Sequence, residues 1–203
     1  VILSDLQKDA LGELFNIGVG RAASSLSQIV RDEVSLSDPQ VTLAKTEDLT
    51  STLLGAEFSE FSMVSLDFSG PFDAKAMLLF PERNALTIIN SMLDAELTPE
   101  EMSEFEQEAM CEVGNVILNA CISALADMLD IEFLGGLPEH HFGDHQTIAA
   151  MSADQESVVL LLQIDLLISQ KLIEGRFLFL LSIDSLQTLL ECVYGFLASQ
   201  GMV

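Results

Sequence analysis

The chain has 203 residues, 49% of them hydrophobic, and a formal net charge of −24 from 32 Asp and Glu against 8 Lys and Arg. That length and apolar content suffice for a buried core and exclude a disordered chain despite the charge. The acidic excess repels phosphate backbones and anionic lipid, which sets nucleic-acid and membrane-surface binding aside and favours a partner with a basic patch.

Val1-Ile2-Leu3 is too short for a signal peptide, although the missing initiator Met suggests trimming. Ser4 with Gln7 three residues later reads as a capping box opening a helix to about Val30. A strand is expected over Gln40 to Lys45, then a short polar helix or loop to about Glu57. Phe61 to Phe68 alternates as a strand, Gly70-Pro71 turns, Ala74 to Phe80 is a second strand, and Glu82 to Leu93 is helical in pattern.

The order then recurs. Thr98, Pro99 and Glu101 supply an N-cap, an N1 proline and a box acid for a long helix to about Leu129. Strands are expected over Glu156 to Leu167 and Arg176 to Ile183, with a more helix-like Ser169 to Ile173 between them and a last helix over about Asp184 to Ala198. The longest apolar stretch, Val158 to Ile168, is broken by Gln163 and Asp165 and is too short to span a bilayer, so no membrane insertion is expected. Cys111, Cys121 and Cys192 have neither zinc nor redox spacing, which points to a reducing, cytoplasmic compartment. The expected fold is α+β and internally duplicated, an antiparallel sheet with two long pseudo-twofold-related helices. It forms a single domain over 1–203 with pseudo-repeats of about 1–97 and 98–203.

The duplication carries a polar pattern with it. Asp9, Glu13 and Asn16 are followed by Pro39, and Glu108, Glu112 and Asn115 by Pro138, with each copy offset by 99 residues and each Pro 23 positions after its Asn. On a helix, positions i, i+4 and i+7 fall within about 60° of one another, so each set forms one stripe. Leu11, Leu14 and Phe15 lie opposite the first stripe, and Met110, Val113, Ile117, Cys121, Ala124 and Met128 lie opposite the second, which Glu101 and Asn119 extend. Both stripes should therefore face outward. A mid-helix Asn has poor intrinsic propensity, so its recurrence at equivalent exposed points needs a reason other than folding.

No Ser, Cys or Lys with a partnered His stands beside these residues, which argues against a covalent nucleophile. A carboxylate and a carboxamide can grip a cation and orient a water. That is enough for phosphoryl hydrolysis when the substrate protein brings its own Mg²⁺ and Lys.

The pattern Asp/Ser-x3-Glu-x2-Asn, with Pro after 22 further residues, resembles the signature of the CheC/CheX/FliY phosphatases of bacterial chemotaxis. Two sites in about 200 residues make it most like the CheC type. Asp9, Glu13, Asn16 and Pro39 fit throughout, whereas Glu108 stands where the family has Asp or Ser. The resemblance implies that phosphorylated CheY, a response regulator, is the substrate. Glu13 and Glu112 would each engage the regulator's active-site Lys, and Asn16 and Asn115 would each orient the attacking water. The resemblance gives the chain no cofactor of its own, Mg²⁺ being supplied by the regulator, and makes the deamidase CheD a further implied partner.

Two other readings compete. One is a non-enzymatic switch or adaptor of the same fold that only binds the regulator. The other is a metal-dependent hydrolase using the acidic stripes with Glu139, His140, His141, Asp144 and His145. Gly143-Asp144 argues against the helix that His141 and His145 would need to share a metal. Gly18 and Gly20 are not a phosphate loop, since no strand precedes and no Lys follows; they suit close helix packing or approach of a partner's backbone.

Glu108 adds length and charge beside Glu112, so the first site is expected to be at least as active as the second. Dephosphorylation assays on the single variants test this: Asn16→Ala should cost at least as much activity as Asn115→Ala, and the reverse ranking would overturn it.

Overall fold

Ser4 and Gln7 exchange the two hydrogen bonds of a capping box. The Ser4 N–H donates to Gln7 Oε1 (2.9 Å), and the Gln7 N–H donates to Ser4 Oγ (3.2 Å). They open α1, Asp5–Val30, in a computed structural model that describes residues 3–30, 32–49, 54–55, 59–93, 99–151, 157–168 and 170–201. Two edge strands follow, β1 (Val34–Leu36) and β2 (Gln40–Lys45), with a 3-10 turn at Thr46–Asp48. The hairpin β3 (Phe61–Ser69) and β4 (Ala74–Pro81) leads into α2 (Glu82–Leu93).

The second half begins with α3, Pro99–Leu129, whose expected N-cap Thr98 lies outside the described residues. It continues through β5 (Leu134–Gly135), β6 (Glu139–Gly143) and the short α4 (His145–Met151). The hairpin β7 (Val158–Ile168) and β8 (Lys171–Leu181) and then α5 (Ile183–Ser199) close it.

Two expectations need correction. The stretch to Ile173 is not helix-like, because Ile168 pairs with Lys171 across a turn in which Gln170 takes a left-handed φ of 65°. The Lys, Glu, Arg and Gly of the opening Lys171–Arg176 run hide its period of two, yet Ile173 and Gly175 point inward as strand residues. At its far end β8 stops at Leu181 rather than Ile183, because Ser182 Oγ accepts the Ser185 N–H (3.0 Å) and caps α5.

All strands form one antiparallel sheet in the order β1-β7-β8-β4-β3-β5, with β2 also on β7 and β6 also on β3. Exchanging the halves, so that β1 to β4 trade places with β5 to β8, turns this order into itself. Each half lays its short strands on the other half's hairpin: Gln40 pairs with Gln163, and Glu139 with Ser65.

Side chains alternate strictly across the sheet. Val64, Leu66, Leu78, Phe80, Leu160, Leu162, Phe177 and Phe179 face the layer of α1, α2, α3 and α5. Phe61, Met63, Met77, Leu79, Val159, Leu161, Leu178 and Leu180 face Leu49, Leu54 and Ile148 on the other side. Burial on both faces explains why β4, β7 and β8 carry long apolar runs. The segment Gln107–Leu129 of α3 is long and apolar enough to cross a membrane by composition, but more than half of it is buried inside the protein.

Two glycines set how closely the long helices approach. A Cβ on Gly18 would stand 2.6 Å from the Cα of Cys121, which places the α1–α3 crossing there. A Cβ on Gly114 would drive into the Val64 side chain, so α3 rests directly on β3. The corresponding position of α1 carries Phe15, wedged against Phe177 and Phe179 at 5.9 and 5.1 Å between ring centroids. Gly20, in contrast, is exposed with nothing within 4 Å of an added Cβ.

Gly114→Ala should destabilise the protein by about 1–3 kcal/mol through overpacking, while Gly20→Ala should stabilise it by about 0.5–1 kcal/mol through helix propensity. Denaturant midpoints of the two variants check this. Equal shifts in the same direction would show that Gly114 does not govern the contact.

Candidate functional site

Each polar stripe lies on the outer surface of a helix whose inner surface is core. On α1, Leu11, Leu14 and Phe15 are buried, Asp9 and Glu13 are exposed, and Asn16 is partly buried. On α3, Met110, Val113, Ile117, Cys121 and Ala124 are buried and Met128 packs against the core. Glu108 and Glu112 are exposed and Asn115 is partly buried there, repeating the first pattern position for position. The side chain of Glu101 lies outside the described residues.

Asp9 with Glu13, and Glu108 with Glu112, are like-charged pairs four residues apart, an arrangement that costs an isolated helix about 0.2–0.5 kcal/mol. Neither stripe therefore stabilises its own helix. Both offer concentrated negative charge beside a carboxamide, a combination suited to gripping an ammonium group and fixing a water.

The proline spacing has a structural origin. Both helices end the same fourteen positions beyond their Asn, at Val30 and Leu129, and each proline is the residue just before an edge strand, β2 or β6. A proline suits the entry of an edge strand because it has no N–H to place in the ladder. Pro39 is buried, while Pro138 is partly buried and accepts a hydrogen bond from the Cys111 thiol (3.8 Å), next to Glu112. Burial pushes the Cys111 thiol pKa up, and takes that of Cys121 up to about 12.

The copies differ in their surroundings. Gly12 of the first takes the place of Cys111, and Asp38 that of Leu137, which is 86% exposed. In the second copy Asn119 donates from Nδ2 to the backbone O (2.9 Å) and the carboxamide Oδ1 (2.6 Å) of Asn115. The equivalent position of the first copy is Gly20. Sequence reading places Asn119 on the stripe but gives it no role; its i, i+4 spacing from Asn115 was the available signal.

The histidine cluster does not gather. His140 and His141 are consecutive in β6 and face opposite sides of the sheet, with Nε2 atoms 2.7 Å from Ser62 Oγ and 3.4 Å from Ser65 Oγ. Asp144 instead caps α4, its Oδ1 accepting the N–H groups of Gln146 (2.9 Å) and Thr147 (3.2 Å). Among the described residues no three His, Cys, Asp or Glu side chains are grouped to hold a metal ion.

Of the cavities of about 640, 510 and 690 Å³, none has Asp9, Glu13, Asn16, Glu108, Glu112 or Asn115 in its wall. An exposed stripe of this kind can act on a substrate that brings its own pocket, as a protein can.

No family model matches the chain. It is 24% identical over 140 residues to the CheY-P phosphatase CheC of Bacillus subtilis, covering 68% of this chain and 66% of that protein. It is 22% identical over 127 residues to the flagellar motor switch phosphatase FliY of the same organism, covering 61% of this chain and 32% of that protein. The match thus spans just under two thirds of one relative and about a third of the other.

The crystal structure of Thermotoga maritima FliY superposes with a TM-score of 0.78 at 21% identity, over 97% of this chain and 100% of that one. In sequence and in fold the chain resembles the CheC/CheX/FliY family. CheX of this family, solved with CheY, BeF₃ and Mg²⁺ from Borrelia burgdorferi, matches with a TM-score of 0.54 at 15% identity, over 83% of this chain and 98% of that one. FliM of Helicobacter pylori, in a FliM–SpeE complex, shares the fold with a TM-score of 0.69 at 12% identity, over 96% of this chain and 97% of that one.

Burial, and secondarily the charge of His141, lower the pKa of His140 from its ordinary value of 6.5. The unfolded chain then takes up a proton that the folded one refuses. Stability contributed by neutral His140 is present above 6.5 and is lost as pH falls from there towards the folded value. Melting curves at about pH 7.5 and about pH 5.5 should show a larger loss on acidification for the parent than for His140→Gln. Identical losses would remove His140 as a source of acid sensitivity.

Proposed function

We propose that this chain is a protein phosphatase that hydrolyses the aspartyl phosphate of a CheY-type response regulator in chemotaxis signalling. The observation that carries the reading is the double stripe: an exposed Glu and a partly buried Asn, at equivalent positions on the outer faces of two helices. The names of the CheC and FliY relatives, and the CheX–CheY complex with its Mg²⁺, support the substrate class.

The chemistry asks little of the phosphatase. Water attacks phosphorus in line, the bond between phosphorus and the aspartyl oxygen breaks, and a carboxylate and inorganic phosphate leave. Charge in so loose a transition state is stabilised chiefly by the metal and the lysine beside the phosphoryl group, which the regulator supplies. Glu13 or Glu112 pairs with that lysine and fixes the docking register through a charge-assisted hydrogen bond. Asn16 or Asn115 enters the regulator's pocket and holds the water on the attack line, its oxygen accepting a water proton. The gain is one of position, since no side chain here serves as nucleophile. Asp9 and Glu108 flank the docking surface, and Pro39 and Pro138 set the loops beside it. Mg²⁺ enters with the regulator, and CheD is a further candidate partner.

We read the chain as one domain with pseudo-repeats of about 1–97 and 98–203. The strand order that survives exchange of the halves supports this. The likeness to FliM favours a second reading, a switch or adaptor that binds a regulator without hydrolysis.

Decay of a phosphorylated CheY-type regulator, followed with and without the protein, decides between them. The parent should accelerate decay, and the double variant Asn16→Ala, Asn115→Ala should lose that acceleration by roughly 100-fold while still binding the regulator. Undiminished activity in the double variant would overturn the water-holding role. Tight binding without acceleration by the parent would establish the adaptor reading.

A further inference from the structure

The hydrogen bonds of Asn119 settle which way the Asn115 carboxamide points. Asn119 faces the backbone carbonyl of Asn115 at 2.9 Å, and a carbonyl only accepts, so the facing atom of Asn119 is its amide nitrogen. The side-chain atom of Asn115 that lies 2.6 Å from this nitrogen is therefore an acceptor, the carboxamide oxygen. One Asn119 NH₂ group spends both hydrogens on Asn115. The carboxamide is held in one of its two flips, with Oδ1 on the Asn119 side and Nδ2 directed away from it.

Three consequences follow for a group whose task is to hold a water. Of the two lone pairs on Oδ1, one is engaged and one remains for a ligand. The rotamer is fixed before the partner arrives, so less freedom is lost on docking. A donor on the oxygen also polarises the amide and strengthens Nδ2 as a donor towards a phosphoryl oxygen. None of this is available to Asn16, because its i+4 neighbour is Gly20, which has no side chain.

We propose that Asn119 is a positioning residue for the second site, acting through Asn115, and that the first site lacks its counterpart. The inference rests on the phosphatase reading and deepens it. The two sites thus reach their working geometry by different routes: Asn115 is ordered in advance, and Asn16 is ordered by the partner.

The test isolates each site. In an Asn16→Ala background, where only the second site works, Asn119→Ala should lower kcat about 3- to 10-fold with KM within about twofold. Asn119→Gln keeps an NH₂ donor on a longer arm and should restore part of the loss. Asn119→Asp has the same shape but no donor, so it should turn the Asn115 carboxamide over and behave at least as badly as the alanine variant. In an Asn115→Ala background, Gly20→Asn fits the open space at that position and should raise the kcat of the first site. Unchanged or increased kcat for Asn119→Ala would overturn the proposal, as would equal kcat for the Gln and Asp variants.

A second readout needs no activity. Side-chain amide ¹⁵N relaxation of the free protein should find the Asn115 carboxamide more ordered than that of Asn16, and Asn119→Ala should remove the difference. Equal mobility in the parent would overturn the positioning role even if phosphatase activity stands. An ordered Asn115 in a protein that does not accelerate dephosphorylation would instead overturn the phosphatase reading, and with it any effect of Asn119 on that reaction.

Discussion

A sheet that is apolar on both faces leaves α1 and α3 only one direction in which to carry polar groups. Each helix must give its inner face to the sheet: Leu11, Leu14 and Phe15 from one, Met110, Val113 and Ile117 from the other. At about 25 cal/mol per Å² of apolar surface removed from water, this burial outweighs the few tenths of a kcal/mol that a pair of like-charged side chains costs on the outer face. The acidic stripes are thus held in place by what lies beneath them. The Gly18 crossing and the Gly114 contact with Val64 bring that support close, so the partly buried asparagines stand on rigid backbone.

Much of this was legible because it follows from periodicity. The 3.6-residue spacing of apolar positions gave both long helices and their inner faces, and the alternation of Phe61 to Phe68 gave the first hairpin strand. The capping box at Ser4 marked a boundary because two hydrogen bonds depend on those residue types. What escaped had no local signature. β1 and β5 are only three and two residues long, and they exist because a neighbouring strand offers a ladder. The start of β8 was hidden because Lys171, Glu174 and Arg176 fall in a run whose inward positions include a glycine. The repeat of Glu, Asn and Pro marked the candidate site, whereas the Asn119 hydrogen bonds depend on side-chain rotamers that a sequence does not display. The histidines looked like a cluster only until strand geometry sent neighbours to opposite faces.

The two stripes share one geometry but not one environment. Pro138 accepts a hydrogen bond from Cys111, a position that is Gly12 in the first copy, and Leu137 projects where the first copy has the exposed Asp38. An exposed leucine beside the second stripe adds apolar area to any surface docking there, and a carboxylate beside the first adds charge. A partner with a basic rim would favour the first approach electrostatically, and one with an apolar rim would favour the second. A chain with two copies of one site can in this way present two different faces to its partners.

The exchange of edge strands between the halves has a consequence for how the protein is made. β1 and β2 hydrogen-bond to β7, and Phe15 of α1 packs on Phe177 and Phe179 of β8. The hairpin of β7 and β8 is synthesised after α1, β1, β2 and α3, so the first helix is made well before part of the surface that covers it. Until then α1 carries a finished outer stripe over an apolar inner face that is only partly covered. The nascent first half is therefore the species most exposed to aggregation and most in need of a chaperone.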